Sequence, residues 1–569
     1  MFKLRRFLKH YKKELVLGPF FKLLEAIFEL IVPVVMAKII DNGIGNNDSA
    51  YVWKMSGLIV VLGICGLGFA LTCQFFAAKC AYGFGTELRN ELYKHINRLS
   101  HAEIDKFGTS SLITRVTNDT VLAQNGVNMF IRLAVRAPFL IIGAAVMAMM
   151  LDLKLSIVFL IAAPVITAII VWVMKKTVPM YKKIQKGLDK ISLLTRENLE
   201  GVRVIRAFSK QDEEKKKFNE ESQALAESSI IAGKISAILN PVTFMIMNLG
   251  IVAILWFGGI RVDTGHLTQG EITAFVNYMT QILLAMIVLA NLVVVFTKAA
   301  SSASRINEVF ETQPSIITGK DKTFDLNKPA IEFNNVSFEY PGAGDLSLEN
   351  ITFTLNRGEV LGVIGGTGSG KSTLANLVPR FYDISFGNVR IFGKDIKSYS
   401  LESLRKLIGV VPQKAALFSG TVADNMRWAK PDASEDDIIK ALKIAQAWEF
   451  VSKLPDGIHT HIEQGGKNLS GGQRQRLTIA RAIVGNPPVV ILDDSMSALD
   501  YATDLALRKA IESELSDTAV IMISQRATTL QNANEILVLD DGKTAGFGTH
   551  SELLENCQEY LEIYNSQMS

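Results

Sequence analysis

Six apolar stretches crowd the first 300 residues, and they limit what this chain can become more than any other feature. They lie near 16–40, 55–80, 132–151, 155–176, 236–260 and 272–297. A helix needs about 20 mostly apolar residues to cross a bilayer, so each stretch is long enough to be a span. Composition agrees: 49% of the 569 residues are hydrophobic and the mean hydropathy is +0.24. A net charge of +4 is too small to argue for nucleic acid, and no such partner is expected. The four cysteines, Cys65, Cys73, Cys80 and Cys557, have no metal-ligand spacing.

Basic residues set the orientation. The first 15 residues carry Lys3, Arg5, Arg6, Lys9, Lys12 and Lys13, and read as a cytoplasmic amphipathic lead-in rather than a signal peptide. The connectors after the second and fourth stretches are long and basic, with Arg89, Lys94 and Arg98 in one and Lys182, Arg203 and Lys215 in the other. The remaining connectors are short and hold one Lys or Arg each. Both termini and the two long connectors are therefore expected in the cytoplasm of a multi-pass cell-membrane protein. Apolar residues recur every three or four positions in YGFGTELRNELYKHINRL and KKIQKGLDKISLLTRENLEGVRVIRAF. This predicts that the spanning helices run on into the cytoplasm and turn there.

Polar groups interrupt the stretches: Glu25 and Glu29 in the first, Gln74 in the second, and Asn277, Gln281 and Asn291 in the sixth. Such residues face the bundle interior, either along a substrate pathway or in interhelical hydrogen bonds. The pattern changes near residue 310. A polar linker, 311–329, leads into short β-rich runs and then alternating helix and strand signals from 330 to 569. That order predicts an α/β nucleotide-binding domain with a partly parallel sheet. The expected architecture is thus a 16–310 helical membrane domain followed by this cassette.

The cassette carries its chemistry in contiguous motifs. GGTGSGKST, Gly365 to Thr373, fits the P-loop pattern G-x-x-x-x-G-K-[ST] between an apolar run and a helical one. Its glycines, Gly365, Gly368 and Gly370, let backbone N–H groups wrap phosphates; Lys371 adds charge, Ser372 ligates Mg²⁺, and Thr373 closes the motif. VVIL ends at Asp493, a carboxylate placed to hold the Mg²⁺ shell through water, and Asp494 follows where the attacking water would be oriented. LSGGQRQR, Leu469 to Arg476, lies between the two.

With that last motif the chain resembles the ATP-binding cassette half-transporter exporters over nearly its whole length. The resemblance implies ATP and Mg²⁺ as cofactors, and roles for further residues. Tyr340 in VSFEYPG would stack on adenine. Gln413 in GVVPQKAALFSGTV would meet Mg²⁺ and sense the membrane domain. Asp500 in SALD would touch the opposite cassette. Leu469, Ser470, Gly471, Gly472 and Gln473 would serve a partner's ATP. FGTSSLITRVTND (107–119) and RENLEGVRVIRAF (196–208) resemble the regions around the coupling helices.

Two positions depart from that family. Asp494 stands where a glutamate is usual, and Gln525 in AVIMISQRATTL stands where a histidine contacts the γ-phosphate. Gln464 also replaces a common glutamate. One methylene fewer withdraws a carboxylate by about 1 Å, a displacement worth on the order of 100-fold in a positioned reaction. Glutamine hydrogen-bonds but takes no positive charge. The binding parts are intact and the hydrolytic parts altered. This implies one member of an unequal pair, resembling a subunit of heterodimeric bacterial multidrug exporters with amphiphilic, drug-like or lipid-like small-molecule cargo. An importer on the same scaffold, of the kind siderophore systems use, and an ATP-gated regulatory subunit share these motifs.

Overall fold

A computed structural model describes residues 2–568. The chain forms two compact units. One takes the chain up to Ile96 together with Ser110–Glu311; the other joins Asn97–Thr109 to everything from Thr312 onward.

The first unit is helical. Ser49–Ile96, Ile157–Glu200 and Gln269–Glu311 are 48, 44 and 43 residues long. At about 1.5 Å per residue each measures roughly 65–72 Å, over twice the bilayer core, so the expected extensions are present. Five helical segments among the described residues are long and apolar enough to cross a membrane: these three, Thr109–Leu151 and Gln211–Asp263. The sequence reading expected six. The remaining stretch, 16–40, falls on helix Lys12–Lys38, which has 27 residues but carries Lys22, Glu25 and Glu29. Those charges are paired. Lys22 Nζ lies 2.6 Å from Glu25, and Arg136 Nη2 lies 2.6 Å from Glu29. Pairing inside the bundle removes most of the cost that a lone charge would carry against lipid. Ala26, Ala144, Ala148 and Ala274 are fully buried where this helix, Arg136–Leu151 and Gln269–Glu311 meet. Small side chains there let the helix axes approach closely.

Pro33 sits inside helix Lys12–Lys38. Proline has no N–H, so the Glu29 carbonyl loses its donor four residues on. Gln281 Nε2 donates to that oxygen at 3.4 Å, and Tyr278 Oη donates to the next carbonyl, Leu30, at 2.7 Å.

The second unit holds two sheets. One is antiparallel, in the order Leu348–Leu355, Ile331–Phe338, Phe386–Ile391, Lys394–Asp395. The other is six-stranded, in the order Lys543–Gly548, Glu535–Asp540, Val360–Gly365, Ala519–Ile523, Val489–Asp493, Ile408–Val411. Its strands are parallel except for the Lys543–Gly548 edge. Strands buried on both faces read as continuous apolar runs, which VVIL and AVIMI do. Ile523 pairs with Asp493, so both strands end at one level and open toward the same cleft.

The membrane-side chain that groups with the cassette is Asn97–Thr109, centred on the helix His101–Phe107. It overlaps the start of the 107–119 region singled out in the sequence, and the rest of that region is helical, through Thr109–Thr114 and Arg115–Asp119. The 196–208 region is where helix Ile157–Glu200 ends and the short helix Val202–Ala207 begins, with Leu199, Val204 and Phe208 exposed.

Candidate functional site

The P-loop spans the end of strand Val360–Gly365 and the start of helix Lys371–Leu377. Two of its glycines are required by space. A Cβ at Gly365 would fall 2.1 Å from the Leu539 carbonyl oxygen. At Gly370 the backbone has φ +97°, and a Cβ would fall 2.6 Å from Leu348 Cδ2. Within this tight turn Lys371 Nζ donates to the Gly365 carbonyl at 2.9 Å and reaches Ser369 Oγ at 3.3 Å.

The loop forms one wall of a cavity of about 580 Å³. Tyr340, Gly368, Gly370, Lys371, Ser372, Thr373, Gln413, Asp493, Asp494 and Gln525 all line it. These residues come from five separate parts of the sequence, and parallel strand ends bring them together, as open α/β sheets do with their ligand sites. Tyr340 Oη donates to Thr373 Oγ1 at 3.2 Å. Ser372 Oγ donates to Asp493 Oδ1 at 3.2 Å, and Gln413 Nε2 to Asp494 Oδ2 at 3.4 Å. A hydroxyl, a carboxylate and an amide around one corner are the hard oxygen donors that suit Mg²⁺, which keeps several of its waters. Burial lowers the Lys371 pKa, partly offset by Asp494 and Asp493. Burial raises that of Asp493, and Asp494 adds to the effect, while Ser372 and Lys371 oppose it. Burial thus disfavours the charged form of both the lysine and the carboxylate, a cost that polyphosphate and a divalent cation would offset.

Family profiles for the ABC transporter transmembrane region and for the ABC transporter cassette match residues 15–286 and 348–497. An uncharacterized ABC transporter ATP-binding protein, YfiB of Bacillus subtilis (strain 168), is 37% identical over 562 residues, covering 99% of this chain and 97% of that one. The chain belongs to the ABC transporter family. An ATP-dependent lipid A-core flippase of Haemophilus influenzae (strain 86-028NP) is 31% identical over 568 residues, covering 99% and 96%. The structure of a bacterial Atm1-family ABC exporter with ATP bound matches with a TM-score of 0.81 at 23% identity, covering 98% of each chain. The transporter therefore has the exporter fold and an ATPase domain that uses ATP with Mg²⁺ to drive transport. It is a multi-pass membrane protein whose cassette faces the cytoplasm, as in such exporters. The transmembrane profile begins at residue 15 and so takes in helix Lys12–Lys38 despite its charges.

None of Leu469 to Gln473 lines the cavity. Ser470 instead caps helix Gly471–Ile483: its Oγ accepts from Gln473 N at 3.3 Å, and Gln473 Oε1 accepts from Ser470 N at 2.9 Å. Leu469 packs against the cassette core. Asp500 caps helix Tyr501–Glu514, accepting from Thr503 N at 2.9 Å and Thr503 Oγ1 at 2.8 Å.

In the membrane unit the three candidate pathway residues part ways. Gln281 joins two helices through the carbonyl that Pro33 frees. Asn277 Nδ2 donates back to Thr273 O of its own helix at 2.9 Å and is exposed. Asn291 is also exposed. Sequence reading passed over Arg136, the partner of Glu29, because an arginine near the start of an apolar run, with Arg132 beside it, resembles a boundary residue. Its spacing of 107 positions from Glu29 leaves no local signal.

Proposed function

We propose that this transporter is the nucleotide-gripping, hydrolysis-poor half of a heterodimeric exporter. Tyr340 stacks on adenine, the P-loop amides and Lys371 hold the phosphates, and Ser372, Gln413 and, through water, Asp493 hold Mg²⁺. The ion neutralises charge on the outer phosphates. Asp494 and Gln525 occupy the positions that would orient water and touch the γ-phosphate. One observation carries the reading. Asp494 and Gln525 line the same cavity as Tyr340, Lys371, Ser372, Gln413 and Asp493, which supports the reading that both departures act at one phosphate. Asp494 also accepts a hydrogen bond from Gln413 Nε2 at 3.4 Å.

The signature residues, absent from the cavity of their own chain, serve ATP bound by a second, non-identical half-transporter. That site does most of the hydrolysis. The cargo is amphiphilic. Support comes from the polar cluster of Glu29, Arg136 and Gln281 around a 120 Å³ cavity among apolar side chains, from Asn277 and Asn291 on either side of Gln281 in its helix, and from the lipid substrate named for the Haemophilus relative.

The test is co-purification with the product of the neighbouring gene, followed by ATPase assays of the pair and of each chain alone. The pair should hydrolyse ATP briskly and this chain alone should be slow. Asp494→Ala should leave the pair's rate nearly unchanged. Brisk turnover by this chain alone, abolished by Asp494→Ala, would overturn the reading.

A further inference from the structure

We infer that Gln567, on the last helix, is a positioning residue for Gln525. The inference rests on the reading that Gln525 faces the terminal phosphate. Gln567 Nε2 donates to the Gln525 carbonyl at 2.7 Å, and Gln567 Oε1 accepts from Ala527 N at 2.8 Å. One primary amide thus closes on the peptide groups either side of Arg526, as a neighbouring strand would. Arg526 between them is extended, at φ −100° and ψ 116°, and its N–H is taken by Ser524 Oγ at 3.0 Å. Ser524 N in turn donates to Val363 O of the P-loop strand at 3.1 Å. The loop that presents Gln525 is therefore fastened on one side to the sheet and on the other to the terminal helix.

That helix, Gln558–Met568, is itself well anchored. Tyr560 is fully buried, and its hydroxyl meets His550 Nδ1 at 2.7 Å. Ile563 and Tyr564 pack on the cassette core. A helix anchored through Tyr560, Ile563 and Tyr564 and holding both ends of a three-residue span through the exposed Gln567 restricts the backbone at Gln525. A side chain that must meet one phosphate oxygen gains from that restriction, because the ordering is done before the ligand arrives. The geometry demands glutamine. Asparagine is one methylene short of the loop, and glutamate would set a second oxygen against the Gln525 carbonyl.

The experiment measures equilibrium binding of Mg²⁺–AMP-PNP and Mg²⁺–ADP to the full chain in nanodiscs. Gln567→Ala should narrow the AMP-PNP-over-ADP preference by about 5-fold, the worth of one hydrogen bond, and leave ADP affinity within about 2-fold of the parent. Gln567→Asn and Gln567→Glu should do the same, so a poorly folding alanine variant does not end the test. Gln525→Ala should narrow the preference equally, and adding Gln567→Ala to it should change nothing more, since one residue acts through the other. Equal losses for both nucleotides, no change in the preference, or additive effects would overturn the inference. If Gln525→Ala itself leaves the preference intact, the reading of Gln525 fails instead.

Discussion

Backbone conformation and side-chain length act together at position 494. Asp494 has φ +45°, the left-handed region, where aspartate and asparagine are the most tolerant residues after glycine. The short carboxylate thus suits the turn, and on the proposed function the same shortness is what slows hydrolysis. Asp494→Glu with Gln525→His should raise turnover at this chain's own site at least about ten-fold, measured as phosphate release by the pair with the partner's site silenced. The double change should cost the cassette about 1 kcal/mol or less in stability. Asp493 gives a separate prediction. Burial raises its pKa in the folded state, so its charge opposes folding above that value, and the penalty fades as pH falls toward the ordinary carboxylate range. Without nucleotide, Asp493→Asn should therefore raise the thermal midpoint at pH 7, with the gain shrinking toward pH 4. The same variant should lose Mg²⁺-dependent ATP binding. A gain that persists at pH 4 would point to packing rather than charge.

Among the elements, the helix His101–Phe107, which groups with the cassette, reaches the P-loop through a short chain of contacts. Asp105 Oδ2 accepts from Tyr382 Oη at 2.6 Å; the Tyr382 ring lies edge-on to Tyr340 with centroids 5.1 Å apart; and Tyr340 bonds Thr373 of the P-loop. Tyr382→Phe keeps the rings and removes the hydrogen bond. It should leave ATP affinity within about 2-fold and cut ATP-driven transport several-fold, in the manner of a coupling change of about 1 kcal/mol. Parallel loss of affinity would show that Tyr382 matters only for binding. In the membrane unit, Gln281→Leu strands the Glu29 carbonyl and should destabilise the protein by about 1 kcal/mol. In a Pro33→Ala background the restored N–H takes that carbonyl back, and the same substitution should cost almost nothing. Equal costs in the two backgrounds, read by thermal unfolding in detergent, would refute the capping role of Gln281. Neither pair was visible in the sequence. Asp105 and Tyr382 are 277 positions apart and Gln281 and Glu29 are 252 apart, so no window of sequence contains both partners.

For the whole molecule the decisive fact is that the signature segment lies outside the cavity formed by its own P-loop. On the proposed function, in which Ser470 completes a partner's ATP site, Ser470→Arg should leave ATP binding to this chain intact and abolish most hydrolysis by the proposed pair. Loss of this chain's own ATP binding would contradict that division. Contiguous stretches of sequence were enough to establish a membrane half, a cassette and the family's nucleotide chemistry. Span length and loop–helix motifs are local properties, written in neighbouring residues and set by hydropathy and backbone geometry. Folding alone revealed that Glu29 of the first membrane helix is paired with Arg136, that Pro33 recruits Gln281, and that Gln567 closes on the Gln525 loop. Each of these depends on which distant groups come within hydrogen-bond reach, and that is a property of packing rather than of order along the chain.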